Sequence, residues 1–253
     1  MVYFFNRSST IHVDAFTYSP SVYEYTPIVK ANRAMPEYWK TLENPGPITG
    51  IREDGGYFVE RHSTIKNCRG LIELYKRGFI VENWSDISIL VEQEGFRFYF
   101  SDLEHPKSHP KEQFGTSFKD FHHIKLMSPW LVKEKTGVMF HGAPTLWSHE
   151  KFDFIMPQGV LDFKKNHAVN LQILLRKKPK PYEFTIEFGQ PMMHFIPISE
   201  KKMELKTHLV DYPEFEKMKL HPANSFWGWR KIDKLVKRNE EREGKCPFGF
   251  GDA

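Results

Sequence analysis

Gly159-Val160-Leu161-Asp162 and, further on, Phe184-Thr185-Ile186-Glu187-Phe188-Gly189-Gln190-Pro191-Met192-Met193-His194-Phe195-Ile196-Pro197 decide the fold class. Both read as β-strand, with β-branched and aromatic residues bounded by Gly and Pro, the residues that turn a chain. The stretches around them repeat the pattern. Residues 123–126, 128–132, 137–140, 152–156 and 169–175 are short apolar or alternating runs, again punctuated by Gly and Pro. Short strands at near-regular spacing predict a mainly β chain folded as a barrel, a jelly roll or a related sandwich.

The N-terminal part adds strands and the first helices. Thr10-Ile11-His12-Val13-Asp14-Ala15-Phe16-Thr17 alternates as a strand with one buried face does, and Ser19-Pro20 ends it. Pro36 near the start, with Tyr38, Trp39 and Leu42 at helical spacing, predicts a short helix over 34–42, closed by Asn44-Pro45-Gly46-Pro47. Over 64–77 the period is helical again: Cys68, Leu71, Ile72 and Tyr75 share a face. Thr64 or Asn67 is the cap, and Gly78 suits a left-handed stop. Residues 79–81 and 87–91 follow as strands, and Glu94-Gly95 turns the second of them into Phe96-Arg97-Phe98-Tyr99-Phe100 as a hairpin. The polar stretch 102–119 is a surface excursion. Beyond Pro197 the chain grows polar until 229–243, where Trp229, Ile232, Leu235 and Val236 make the apolar stripe of an amphipathic helix before a Gly-rich tail. The domain reading is a single β-rich domain over 1–225 with N-terminal helical decorations, then a C-terminal helix and tail over 226–253.

Composition narrows the function classes. The 253 residues are 40% hydrophobic and 27% charged, which is globular and not disordered. Thirty-six basic against 32 acidic residues is a mild imbalance, so nucleic acid is not an expected partner. Cys68 and Cys246 are far apart and lack metal-type spacing, so neither a disulfide framework nor a zinc site is expected. Met1 to Asn6 has no basic leader, and no apolar run approaches the roughly 20 residues of a membrane span, so a soluble, intracellular protein is expected.

The strand Gly159-Val160-Leu161-Asp162 and the stretch Gly189-Gln190-Pro191-Met192-Met193-His194-Phe195-Ile196 resemble the dUTPase and dCTP deaminase superfamily. Its β-clip barrels carry a Gly-Val-Ile-Asp strand start and a later Gly-x-x-Ile-Ala-Gln-Leu strand. The resemblance implies a β-clip or jelly-roll-like barrel with two or three peripheral helices. It also implies a catalytic role for Asp162 as general base toward water, with magnesium-bound phosphate nearby. His194, Gln190, Lys164 and Lys165, in or beside the two motifs, are the implied ligand-binding residues. The chain departs from the family where Tyr-Arg-Gly is replaced by Phe163-Lys164-Lys165-Asn166, and it has no Arg-Ser-Gly motif upstream. Taken whole, the arrangement of Met35-Pro36-Glu37-Tyr38-Trp39, Thr64-Ile65-Lys66-Asn67-Cys68, Ser128-Pro129-Trp130 and the Gly189 strand also looks like an uncharacterised family of bacteriophage and bacterial proteins. That likeness implies the host cytoplasm or a virion as the setting, with further copies of the chain or another phage protein as partners.

One further pattern carries chemistry. His12-Val13-Asp14 places two ligand types on one strand face, as the facial triad of a non-haem iron oxygenase requires, with the third ligand sought among His122, His123, His141, His149, His167 and His194. The run Arg176-Lys177-Lys178-Pro179-Lys180 reads as a solvated hairpin tip, with a loop that meets phosphate or an acidic partner as the alternative, and Trp227-Gly228-Trp229-Arg230 either docks against another chain or pins the C-terminal helix to its own barrel. No Gly-x-Ser-x-Gly elbow is present. Three functions follow. The first is a phage-encoded, non-catalytic binding or virion-associated β-barrel protein. The second is a dUTPase-like enzyme using Asp162 and Mg, and the third an Fe oxygenase using His12 and Asp14.

Overall fold

A computed structural model describes residues 10–43, 47–60, 64–100, 107–108, 117–148 and 153–219. The helix expected over 229–243, the Gly-rich tail, Trp227, His149 and Cys246 lie outside the described residues.

The chain is mainly β, with few helices. One large sheet is built from β1 (Thr10–Thr17), β9 (Phe121–Glu134), β12 (Ala168–Arg176) and β15 (Lys202–Leu209), in the order β12-β9-β1-β15, and β8 (Lys107–Ser108) pairs with β9. A second sheet joins β2 (Val29–Lys30), β5 (Phe79–Glu82), β10 (Met139–Pro144), β11 (Gly159–Asp162) and β14 (Pro191–Pro197), in the order β11-β10-β14-β5-β2. A smaller sheet holds β13 (Tyr182–Ile186), β6 (Ile87–Val91) and β7 (Phe96–Phe100), and β3 (Ile48–Ile51) pairs with β4 (Tyr57–Glu60) as a ribbon. The helices are α1 (Pro20–Tyr25), α2 (Glu37–Thr41), α3 (Arg69–Tyr75) and α4 (Tyr212–Lys219).

The barrel expected from the sequence does not close. Among the described residues the two large sheets keep their own edges, β12 and β15 in one and β11 and β2 in the other. Between them lies one core. Ile11, Val13 and Ala15 enter it from β1, Leu171, Ile173 and Leu175 from β12, and Phe79 and Phe195 from the opposite sheet. At its centre Phe79, Phe140, Phe163 and Phe195 are buried and form a nest of rings with centroids 5.3 Å apart for Phe79–Phe195, 5.3 Å for Phe140–Phe163 and 5.4 Å for Phe163–Phe195. Tilted and edge-on ring pairs at this spacing add about 0.5–1.5 kcal/mol each beyond the area they bury. A smaller cluster of Ala31, Leu71, Tyr75 and Ile80 fastens α3 to the outside of the second sheet.

The two strands expected over 123–126 and 128–132 are one. β9 runs for 14 residues and changes partner along its length, pairing with β12 from Phe121 to Leu131 and with β1 from Leu131 to Glu134. Pro129 falls where the register with β12 shifts between Ala168 and Asn170, the place where a residue without an N–H costs no ladder bond. The strand expected over 152–156 is reduced to a single bridge between Ile155 and Leu174.

Ser19 caps α1 by accepting a hydrogen bond from the Val22 N–H, and the helix over 64–77 resolves into a 3-10 turn at Ile65–Asn67 followed by α3. Gly78 ends that helix with φ +76°, as its position after the apolar face predicts. Its neighbourhood is tighter than its conformation requires: a Cβ there would lie 2.0 Å from the Phe195 carbonyl oxygen. Because that atom is backbone of the central β14, it has no rotamer by which to move aside. Gly78→Ala is therefore expected to cost at least about 3 kcal/mol in urea unfolding, from strain at positive φ together with the clash. A loss below about 1 kcal/mol would show that α3 and β14 are free to separate at this point.

Candidate ligand-binding site

The residues of the two strand motifs occupy three separate places. Asp162 ends β11 opposite Met139. Its backbone carbonyl accepts the N–H groups of Lys165 and Asn166 at 3.1 and 2.8 Å, its carboxylate accepts the Lys164 N–H at 3.0 Å, and its second oxygen lies 3.8 Å from the Lys165 ammonium. The carboxylate thus organises the turn that carries Phe163 into the aromatic nest. Lys164 lies beside Gly137 in the neighbouring β9–β10 turn. His194 pairs with Ala143, four residues along β10 from Met139, which is about 13 Å at strand rise. Gln190 sits in the Gly189 turn, where its side-chain carbonyl accepts the Glu187 N–H and its backbone carbonyl accepts the Asn83 N–H.

His194 is buried, with Nε2 2.7 Å from the Arg77 carbonyl oxygen and its ring against Tyr75. Tyr75 in turn hydrogen-bonds the Ser148 hydroxyl at 3.4 Å. Burial pushes the His194 imidazole below its ordinary pKa, outweighing the bond to Arg77, and the nearby His141 acts in the same direction. His194 fastens the end of α3 to β14.

His12 and Asp14 do share one face of β1, as their spacing predicts, and it is the outer face, away from the core. There they meet β15, which runs parallel to β1 in a register that sets His12 opposite Glu204, Asp14 opposite Lys206 and Phe16 opposite His208. His12 Nδ1 lies 3.3 Å from Glu204 Oε2, and His208 Nε2 lies 2.9 Å from Asp14 Oδ1. The His208 ring stacks on Phe16 with centroids 4.8 Å apart and planes at 18°, which fixes its orientation. Together with Lys135 and Lys206 these side chains line a pocket of about 240 Å³.

On the other side of β1 from β15 lies β9. Lys133 pairs with Asp14 and stands over the Phe16 ring at 5.4 Å. Burial holds its ammonium below the ordinary lysine range. The charge of Lys135 adds to that shift, and Glu214 of α4 and Asp14 oppose it. Beside it, the β9–β10 turn that presents Lys135 is held by the buried Glu134. Its carboxylate accepts the N–H groups of Thr136, Gly137 and Val138 at 2.6, 2.7 and 3.1 Å and also takes the Thr136 hydroxyl. Such charge-assisted bonds are short and strong, so Lys135 is mounted on a rigid turn.

An iron triad does not assemble on this face. Among the described residues no three His, Cys, Asp or Glu side chains come together as a metal-binding group. His122, His141, His167 and His194 bond instead to the Glu92 carbonyl, Gln158, the Phe163 carbonyl and the Arg77 carbonyl. The residues of the pocket that the sequence did not single out are Lys135, Glu204, Lys206 and His208. A signal for the last three exists in Lys202-Met203-Glu204-Leu205-Lys206-Thr207-His208-Leu209, whose alternation is that of a half-buried strand.

No protein-family model, curated protein or solved structure matches the chain. No helix among the described residues is long and apolar enough to cross a membrane.

Because the folded pKa of His194 lies below its unfolded value, the unfolded chain binds more protons between the two. The stability that His194 contributes is complete above about pH 6.5 and is lost as the pH falls from there through its folded pKa. Side-chain NMR is expected to show the His194 ring neutral at a pH where a histidine in an unfolded peptide is already charged, and the urea midpoint is expected to fall over the same range. A His194 that titrates as an unfolded peptide does would contradict its burial.

Proposed function

We propose that this chain is a non-catalytic binding protein and that its ligand is held in the pocket over β1 and β15. The observation that carries this reading is the pairing inside the pocket: each carboxylate is tied to a histidine of the neighbouring strand, Asp14 to His208 and Glu204 to His12. Tied in this way, the four groups form a braced lining. A small polar ligand is recognised by such a fixed constellation in a concavity.

The nucleotide-handling alternative depends on Asp162 as a general base, and a base must reach a water molecule that stands against substrate. Its carboxylate is instead engaged by the Lys164 N–H and adjoins the Lys165 ammonium within its own turn. Magnesium or iron chemistry therefore has less support than binding. A phage or bacterial setting, with further copies of the chain or another phage protein as partner, rests on the likeness of the sequence stretches quoted above.

The test is direct. Purified protein incubated with magnesium and dUTP, dCTP or ATP is expected to leave the nucleotides unchanged, and Asp162→Asn is expected to lower stability by about 1 kcal/mol through the loss of a charged turn acceptor. Nucleotide turnover that is present in the wild type and disappears in Asp162→Asn would replace the binding reading with the enzymatic one.

A further inference from the structure

We propose that α3 is an acid-released cover on the second sheet: when His194 takes up a proton beside His141, the helix leaves the sheet while the main core stays folded.

The two histidines stand together on the outer face of that sheet. His141 of β10 is opposite Ile196 and His194 of β14 is opposite Ala143, so the rings occupy diagonal positions of one face, while Phe140 and Phe195 turn to the core on the other. α3 rests on this outer face. His194 Nε2 donates to the Arg77 carbonyl at the end of the helix, and Tyr75 sets its ring against His194 and its hydroxyl against Ser148. The contact is a small cluster of Ala31, Leu71, Tyr75 and Ile80, separate from the core between the sheets. A helix of seven residues has little stability of its own and lasts only as long as that packing.

A carbonyl can only accept, so Nε2 carries the hydrogen of the neutral His194 ring and an added proton goes to Nδ1. Among the described residues Nδ1 has no hydrogen-bond acceptor, and the residue is 3% exposed, so the new charge meets neither a partner nor bulk water. The surrounding groups do not relieve it. From β10, a charged His141 repels it. From α3, Arg77 is a cation already engaged by both oxygens of Glu200, Glu73 is tied to Lys76, and Tyr75 presents a ring that burial keeps neutral. Glu82 of β5 lies two residues along from Ile80, the partner of His194, and burial pushes its carboxyl toward the neutral form. Because burial sets the His194 imidazole below its ordinary pKa, the helix is held most firmly above about pH 6.5 and let go as the pH falls through the folded value. Gly78, seated against the Phe195 carbonyl, stays with β5 and acts as the hinge. Opening widens the outer face on which Met139 and Val160 are already exposed.

Amide hydrogen exchange on the full chain tests this, with protection taken relative to an unstructured peptide so that the intrinsic pH dependence cancels. Between about pH 7.5 and about pH 5, protection over 69–77 is expected to fall at least about threefold while β1 and β9 keep theirs. His194→Gln retains a donor for the Arg77 carbonyl and gains no charge, so its α3 is expected to stay protected across the range. His141→Gln removes the repelling charge and is expected to shrink the fall. Equal losses in α3, β1 and β9 would overturn the proposal, because the whole fold then opens at once. A fall that persists in His194→Gln would overturn it as well. If that variant does not fold, an unchanged fall in His141→Gln has the same consequence.

Discussion

The position of β1 is the constraint from which the rest of the structure follows. It is an N-terminal strand, yet it lies inside the first sheet, with β9 antiparallel on one side and β15 parallel on the other. A parallel neighbour needs a crossover connection, and here nearly the whole chain supplies it. The eight rungs with β15 tie the two ends of the described fold together. Every second side chain of β1, from Ile11 to Thr17, is buried, so the strand cannot slip by one residue without exposing its core face. That register also fixes which side chains meet outside. With Ile11, Val13 and Ala15 inward, His12, Asp14 and Phe16 must face out, and Glu204, Lys206 and His208 must stand opposite them. The pocket is the outer surface of a register chosen by the core.

The second organising feature is the aromatic nest. Phe163 stands directly after Asp162. Fully buried, it is packed against Phe79, Phe140 and Phe195. Drawing that side chain inward bends the backbone into the turn whose N–H groups Asp162 accepts. Asp162 thereby holds the turn that carries Phe163 into the core. Gln190 has a comparable role, since its side chain and backbone close the Gly189 turn between β13 and β14. His194 holds α3 against the second sheet. Each is a polar group placed where backbone or helix ends need a partner, and of the three His194 is buried.

Much of the fold was legible because it is written in local periodicity. The alternation of Thr10–Thr17, the hairpin through Glu94-Gly95 and the helix closed by Gly78 depend on neighbours within a few residues, and each is present. β15 was less legible. Its apolar positions are Met203, Leu205 and Leu209, too modest a face among lysines and glutamate to stand out, and in the structure Met203 and Leu205 are only partly buried while Leu209 is exposed. Nothing local signals that it pairs with β1, because the partners are nearly two hundred residues apart and parallel pairing has no turn to announce it. α1 and α4 are short and rest on caps, Ser19 and Asp211, with one buried anchor each, Val22 and Phe215. Helices of that length owe their existence to packing more than to propensity.

By itself the sequence determined the mainly β class, the positions of most strands and the fact that His12 and Asp14 share a face, since a strand's side chains alternate whatever it packs against. It did not determine which face that was or what stands across from it. Only the tertiary structure decided that the sheets stay open instead of closing into a barrel, that Asp162, His194 and Gln190 lie apart, and that Glu204, Lys206 and His208 complete the surface begun by His12 and Asp14. The physical reason is that strand periodicity is a property of a few consecutive residues. Strand order and register are settled by burial of one common core, to which residues from both ends of the chain contribute at once.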